Sequence, residues 1–256
     1  MATNFWESDH LNLLVHRERL VEAHQKDRER GLTSAQIEDV KVFTILYLED
    51  IAKNSQNLIR QRVAATACVY FRRFYLKENF CEYDPRLVGP ACLFLACKSE
   101  ESQVQAKALF QMLKKVSTTG KYHGLLLPDS AQLLDLEMAV LESLEFNLIV
   151  YSPYRDLAIF LQDAQTSDLA ECAWAVLNDS YRTHVCLLHA PYMVAVACMH
   201  VASVLLSRSI ESWLKSLNCD LDEVLEIARE LMICFKQQRA CISTEACNRF
   251  VEFVMC

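Results

Sequence analysis

Residues 84–101 read DPRLVGPACLFLACKSEE, and the reading of this stretch decides the fold. Asp84 is a good N-cap, because its carboxylate can accept a free backbone N–H of the first turn. Pro85 follows at the first helical position, where its missing N–H costs nothing. From Leu87 to Cys97 the segment is apolar on every side, and a helix that is hydrophobic all round is a buried one. Gly89, Ala91 and Ala96 are small enough to let neighbouring helices approach. Pro90 removes one backbone hydrogen bond, so a bend is expected there. The chemistry then changes abruptly to Lys98, Ser99, Glu100 and Glu101. The expected feature is a central buried helix that delivers a charged cluster to the surface.

Outward from that rod the pattern stays helical. Thr33 with Gln36 makes a capping box that opens a helix to about Lys53. A second helix spans roughly 58–76 and holds RVAATACVYFRRFYL. A fourth runs over 106–116. A fifth opens at Pro128 and reaches Phe146, with Leu133, Leu136, Val140, Leu141 and Leu144 inward. Ser152-Pro153 starts a second series: a short helix through Leu161, one from Ser167 to Tyr181, an apolar helix from Pro191, a short piece around Trp213, a helix capped by Asp220 and Glu223, and a last one from Ser243-Thr244. No credible strand appears, and four glycines with five prolines in 256 residues favour helices over turn-rich β architecture.

A faint duplication pairs Ala67-Cys68 with Ala197-Cys198, 130 residues apart, which is too long a period for a solenoid. The expected fold is therefore all-α: two tandem five-helix domains, residues 33–150 and 151–256. They follow an N-terminal helical segment, 1–32, where Leu11, Leu14, Val15, Leu20 and Val21 fit a short amphipathic helix.

Composition narrows the function. The chain is 52% hydrophobic and 23% charged, as ordinary soluble globular proteins are. A net charge of −7 argues against a dedicated nucleic-acid binder, which needs clustered Lys and Arg. The charge is uneven. Residues 128–171 hold nine acids and one base, whereas Arg60, Arg62, Arg72, Arg73 and Lys77 make the second helix basic. Complementary patches of this kind steer association and fix register. The twelve cysteines include no CxxC pair. Cys68, Cys92, Cys97, Cys198 and Cys234 lie in apolar helical runs, where Cys acts as a small hydrophobe. This usage suits a reducing compartment. The seven histidines show no ligand spacing with the cysteines, so no metal site is expected. There is no basic-plus-apolar leader and no run of about 18 apolar residues, so an intracellular protein without membrane attachment is expected.

No catalytic constellation emerges. GxSxG, phosphate-cradling glycine loops and HExxH are all missing from the sequence. Carboxylate pairs such as Asp135 with Glu142, or Glu137 with Glu145, read as a solvated acidic face, and His200 reads as a core histidine. No catalytic residue and no cofactor are expected, so the function should lie in surfaces. Phe5 and Trp6 either pack back on the chain's own core or anchor a partner, since Trp is enriched at interface hot spots.

Three motifs in order resemble the cyclin family. LACKSEE (95–101) is similar to the end of the cyclin box's buried helix. LEMAVLESLEFNL (136–148) is similar to its fifth helix, and VYFRRFY (69–75) to the end of its second. The resemblance spans nearly the whole chain. NFWES, LIVYSPYRDLAIFLQD and LNDSYRTHVCLL bring it nearest the C-type branch in its plant form. It implies two stacked five-helix domains and a regulatory, non-enzymatic role: binding and activating the cyclin-dependent kinase of the Mediator kinase module, in the nucleus, alongside that module's other subunits. It implies that Lys98, Glu101 and Glu137 grip the kinase and that Phe5 and Trp6 touch it. It also implies that Trp174, Asn178, Asp179 and Arg182 line an inter-domain groove for another subunit. Lys98 and Glu137 are expected side by side and open to solvent. VKVFTILYL stands where cell-cycle members carry a substrate-docking patch, which favours a transcriptional role. Cys97 in place of the usual Ser, and Gly89 inside a helix, depart from the family pattern and are expected to loosen the packing.

Overall fold

The computed structural model describes residues 4–102, 104–118, 120–237 and 242–255. In chain order the helices are α1 (Asp9–Asn12), α2 (Arg17–Glu22), α3 (Gln25–Glu29), α4 (Ser34–Lys53), α5 (Gln61–Phe74), α6 (Pro85–Ser99), α7 (Ala106–Ser117) and α8 (Ser130–Ser143). They continue as α9 (Tyr154–Asp163), α10 (Ala170–Ser180), α11 (Val185–Leu188), α12 (Pro191–Leu205), α13 (Glu211–Ser216), α14 (Leu221–Gln237) and α15 (Thr244–Met255). No strand occurs among the described residues, and no described helix is long and apolar enough to cross a membrane. The molecule divides into two compact units. The first comprises 15–150 with the chain's last helix, and the second comprises 151–237 with residues up to Leu14.

In the first unit α6 lies among α4, α5 and α8, and twelve of its fifteen residues are buried. The helix starts are fixed by side chains, as the sequence suggested. Asp84 accepts the Arg86 N–H at 2.9 Å. Thr33 and Gln36 cap α4 reciprocally. Asp129 accepts from Ala131 and Gln132 while Gln132 accepts the Asp129 N–H in return. That box moves the start of α8 to Ser130. Pro128 therefore precedes the helix instead of opening it, because the capping residue follows it. α6 runs without interruption through Pro90.

Gly89 does the opposite of loosening the packing. A Cβ built there would lie 2.6 Å from Thr44 Cγ2 and 3.6 Å from Leu48 Cδ2. The glycine thus allows α4 and α6 to approach more closely than any side chain would permit. Cys97 is fully buried, and burial pushes its thiol up to about 12, so it packs as a small hydrophobe. Arg72 and Arg73 are buried as well. Arg72 Nη2 reaches Glu38 Oε1 at 3.0 Å. Two of the five bases read on the second helix are therefore internal, while Arg60, Arg62 and Lys77 stay exposed.

The last helix corrects the linear division of the chain. α15 packs against α4 in the first unit, although its residues follow the second. Arg86 is the connector. It is chelated by Asp84, with Nη2 to Oδ2 at 2.6 Å, and donates from Nη1 to Asn248 Oδ1 at 3.0 Å and Glu252 Oε1 at 3.2 Å. The N-terminal segment differs too. In place of one amphipathic helix there are three short ones, α1 to α3, and the first of them groups with the second unit.

The second unit is built around α12, which packs against α9, α10 and α14. Like α6, α12 begins with Pro at its N-terminus and is buried on most sides. The two share the pattern P-x-x-V-x-x-A-C, at Pro85-Val88-Ala91-Cys92 and Pro191-Val194-Ala197-Cys198, 106 residues apart. The duplication therefore equates α6 with α12. The 130-residue match had set α5 against α12, because Ala-Cys pairs recur in any close-packed helix.

Candidate functional site

The buried rod ends where its chemistry changes. Lys98 occupies the last turn of α6, and Glu137 lies midway along the neighbouring α8. The Lys98 ammonium is 2.7 Å from Glu137 Oε1 and 2.8 Å from Oε2, so it is held by both oxygens. The same nitrogen stands 4.3 Å from the centroid of Phe94, one turn back, in reach of a cation–π contact. Both helices are anchored in the core, so the pair is positioned by rigid elements. The structure brings these two residues together as expected but does not expose both. The Lys98 side chain is 51% exposed, whereas that of Glu137 is 7%. The reason is geometric: a carboxylate on the inner flank of α8 is covered by the lysine that binds it. What the surface presents is a cation whose position is dictated from below.

Beyond Lys98 the helix closes in a left-handed turn. Glu101 has φ +56°, and the Ser102 N–H returns to the Cys97 carbonyl at 2.8 Å, the geometry of a Schellman cap. Glu101 is exposed. Its neighbour Glu100 is tied inward, accepting from Thr66 Oγ1 at 2.8 Å and pairing with Arg62 Nε at 2.9 Å. The segment after α8 is held by Tyr70, whose hydroxyl donates to the Leu148 carbonyl at 2.5 Å. Burial pushes that phenol up to about 12.

Around the pair lies apolar surface that the sequence reading missed. Leu134 and Met138 are 47% and 51% exposed. They share one face of α8, being four residues apart, and flank Glu137. Phe146 and Ile149 in the following segment are exposed too. Leu136 and Leu141, read as inward, are only half-buried. The available signal was that α8 carries apolar residues on more faces than one bundle can cover. Contiguous exposed apolar surface rimmed by charge marks an interaction site.

The remaining site residues lie in the second unit. Phe5 sets its ring edge-on to Tyr151 and to His10, with centroids 5.6 Å apart in both cases. The Tyr151 N–H donates to His10 Nδ1 at 2.9 Å. Trp6 tilts against Tyr192 yet remains 58% exposed. Phe5 thus packs back while Trp6 stays available. Trp174 is 37% exposed. It stacks on Tyr154, at 5.1 Å and an interplanar angle of 16°. The Tyr154 hydroxyl donates to Asn178 Oδ1 at 2.7 Å, and Arg182 Nη2 pairs with Asp179 Oδ1 at 2.9 Å. These four residues form one stretch of α10 and the turn behind it.

Among the described residues no group of His, Cys, Asp and Glu could hold a metal ion, and the ten described cysteines are free thiols. Burial drives the thiols of Cys92 and Cys198 far above their ordinary value. His200 is partly buried, and burial lowers its pKa.

Comparison with known proteins shows the family and the fold. The family described as cyclin, N-terminal domain, matches residues 18–149. The chain is 41% identical over 232 residues to Cyclin-C1-1 of Oryza sativa subsp. japonica, covering 91% of this chain and 88% of that one. It is 35% identical over 246 residues to Cyclin-C of Rattus norvegicus, covering 93% and 84%. Among solved structures, a chain of the yeast RNA polymerase II CTD kinase CTDK-1 complex is similar with a TM-score of 0.70. That match has 16% identity and covers 94% of this chain and 82% of that chain, a likeness of fold.

Proposed function

The chain belongs to the cyclin family as a C-type member, and from that premise we propose that it binds and activates a cyclin-dependent serine/threonine kinase. In this reading the kinase is that of the Mediator kinase module, the compartment is the nucleus, and the output is regulation of RNA polymerase II transcription. The observation that carries the proposal is the Lys98–Glu137 pair, held at the end of a buried helix and flanked by the exposed Leu134 and Met138. Two of the lysine's three donors are directed at Glu137, which leaves one for a partner's carbonyl or carboxylate. The apolar pair supplies the area that a lone charge cannot.

Chemistry stays with the kinase. A kinase needs its C-helix glutamate against the phosphate-binding lysine. A rigid wall that binds only the inward position of that helix shifts the equilibrium by its differential affinity and nothing else. Glu101 contributes at the rim, and Trp6, with Phe5 holding its turn, adds a second contact with the kinase. Trp174, Asn178, Asp179 and Arg182 receive another subunit of the module, with the stacked Trp174 as anchor. Support comes from the C-type relatives and from the fold shared with a chain of an RNA polymerase II CTD kinase complex.

A DNA-binding module of the same fold would need a basic face, and Arg72 and Arg73 are buried. A scaffold unable to activate a kinase drew its support from Gly89 and Cys97, both of which fit their sites. The test is co-purification with the Mediator kinase together with gain of phosphorylation of a CTD peptide. Binding without gain of activity would reduce the protein to a scaffold, and failure of the purified partners to associate would reject the reading.

A further inference from the structure

α6 and α12 correspond residue by residue, and both ends fix the register. Each opens on a proline, 106 residues apart. Each closes in the same left-handed turn at the same spacing. Glu101 has φ +56° and Ser207 φ +53°, and the Ser102 and Arg208 N–H groups return to the Cys97 and Ser203 carbonyls, both at 2.8 Å. Lys98 therefore corresponds to Val204. α8 and α14 correspond as well, 91 residues apart. Asp129 accepts the Ala131 and Gln132 N–H groups, and Asp220 accepts those of Asp222 and Glu223. Leu133 and Val224 are buried alike, as are Val140 and Leu231. Glu137 therefore corresponds to Ala228, and both are buried.

The second unit thus repeats the face that carries the Lys98–Glu137 pair, since α12 packs against α14 as α6 does against α8. The charge is gone but the exposure remains. Val204 is 59% exposed, and Leu205, Leu206, Leu221 and Leu225 are exposed with it. Leu225 is the counterpart of Leu134. Met138, the other apolar flank of the first face, becomes the exposed Arg229, and the exposed Lys236 follows seven residues on, along the same side of α14. The first face therefore has a cation at its centre and apolar residues beside it, whereas the second has an apolar centre and cations at its edge. Exposed apolar side chains gathered in this way mark an interaction site.

We propose that this face of the second unit docks the apolar stripe of an amphipathic helix from a partner protein other than the kinase, with acidic residues along the edge of that helix meeting Arg229 and Lys236. A kinase element that brings a carbonyl or carboxylate to Lys98 would find no donor at Val204 and would lose its water there. An unbroken apolar stripe laid on the first face would bury the Lys98 ammonium without a partner for its remaining donor. Each face therefore rejects the other's ligand. Only the exclusion of the kinase rests on the kinase-binding reading.

Fluorescence anisotropy of the full chain with a labelled helical peptide of about 18 residues tests it. The peptide carries leucines at i, i+3, i+4 and i+7 and glutamates along both edges; a second peptide has lysines in place of the glutamates. The acidic peptide should bind more tightly than the basic one. The Val204→Asp, Leu225→Asp double variant alters exposed side chains and should weaken binding at least about tenfold with unchanged thermal unfolding. Arg229→Glu should reverse the preference between the two peptides. Lys98→Glu should leave peptide binding unchanged, and the double variant should pull down the kinase as the wild type does. Failure of the kinase to associate with the wild type would reject the kinase reading and leave the peptide result to stand by itself. No rise in anisotropy up to about 1 mM chain would overturn the proposal, as would equal binding of the two peptides or loss of kinase binding in the double variant. A dimer of the wild type that the double variant dissolves would assign the face to a second copy of this chain and overturn it too.

Discussion

Replacing Gly89 by Ala sets two effects against each other, and the structure decides between them. In an exposed helix the change gains about 0.5–1 kcal/mol, because Ala loses less backbone freedom than Gly. Here the added methyl would lie 2.6 Å from Thr44 Cγ2. Thr44 has little room to yield. It is β-branched and stiff at χ1, it is buried, and its hydroxyl donates to the Val40 carbonyl at 2.9 Å. Overpacking a core typically costs about 1–3 kcal/mol. The net expectation is a loss of about 1 kcal/mol, a fall in melting temperature of about 2–4 °C for a domain of this size. Urea unfolding at neutral pH should show a lower midpoint with unchanged slope. Thr44→Ser keeps the hydroxyl and removes the offending methyl, so in that background Gly89→Ala should be neutral or stabilising. The coupling between the two sites can be read from a double-mutant cycle. If Gly89→Ala alone stabilises the protein, or if Thr44→Ser does not reverse its sign, the close approach of α4 and α6 is not what requires glycine here.

Other expectations concern charge. Exchanging Lys98→Glu with Glu137→Lys should reduce kinase affinity at least about tenfold. It should leave helical content nearly unchanged, because the pair is reversed and not broken; unaltered affinity in a pull-down would show that the docking surface lies elsewhere. His24 is held neutral: burial pushes its imidazole down to about 4 from an ordinary 6.5. The unfolded chain therefore binds more protons between those values, so stability is complete above pH 6.5 and is lost as pH falls toward 4, by about 3 kcal/mol. Urea midpoints measured from pH 7 to 4 should fall accordingly, and a flat profile would contradict the buried placement of His24. Arg86→Met should cost about 3 kcal/mol, because it strands the buried Asp84 carboxylate. It should also raise amide exchange in 244–255 before exchange rises in α6; protection of α15 equal to wild type would show that Arg86 does not hold it.

Much of this molecule was legible along the chain because its signals are local. Thr33 with Gln36 and Asp84 with Pro85 fix their helix starts through atoms a few residues away, so a linear reading captures them. The all-round apolar content of 87–97 likewise dictates burial whatever the neighbours are. What escaped depends on residues distant in sequence. Gly89 is explained by Thr44, Arg72 by Glu38, and α15 by Arg86, and no periodicity encodes those meetings. Glu137 looked solvated because α8 is acidic around it, and only the position of Lys98 shows that it is covered. Leu134 and Met138 drew no reading because an apolar residue on a helix carries no mark of which face the bundle leaves open. The repeat was misaligned for a related reason: two-residue matches are too common in buried helices, whereas the eight-residue pattern at 85–92 and 191–198 was specific and went unread.

The return of α15 to the first unit has a consequence for synthesis. At about 5–20 residues per second, residues 244–255 emerge on the order of 5–20 s after Val150. For that interval the flank of α4 that they will cover is bare, and Arg86 holds only Asp84, its Nη1 lacking Asn248 and Glu252. The unit proposed to greet a kinase is therefore the first to be made and among the last to be finished. A ribosome that stops early would release a product whose defect lies far upstream of the missing codons.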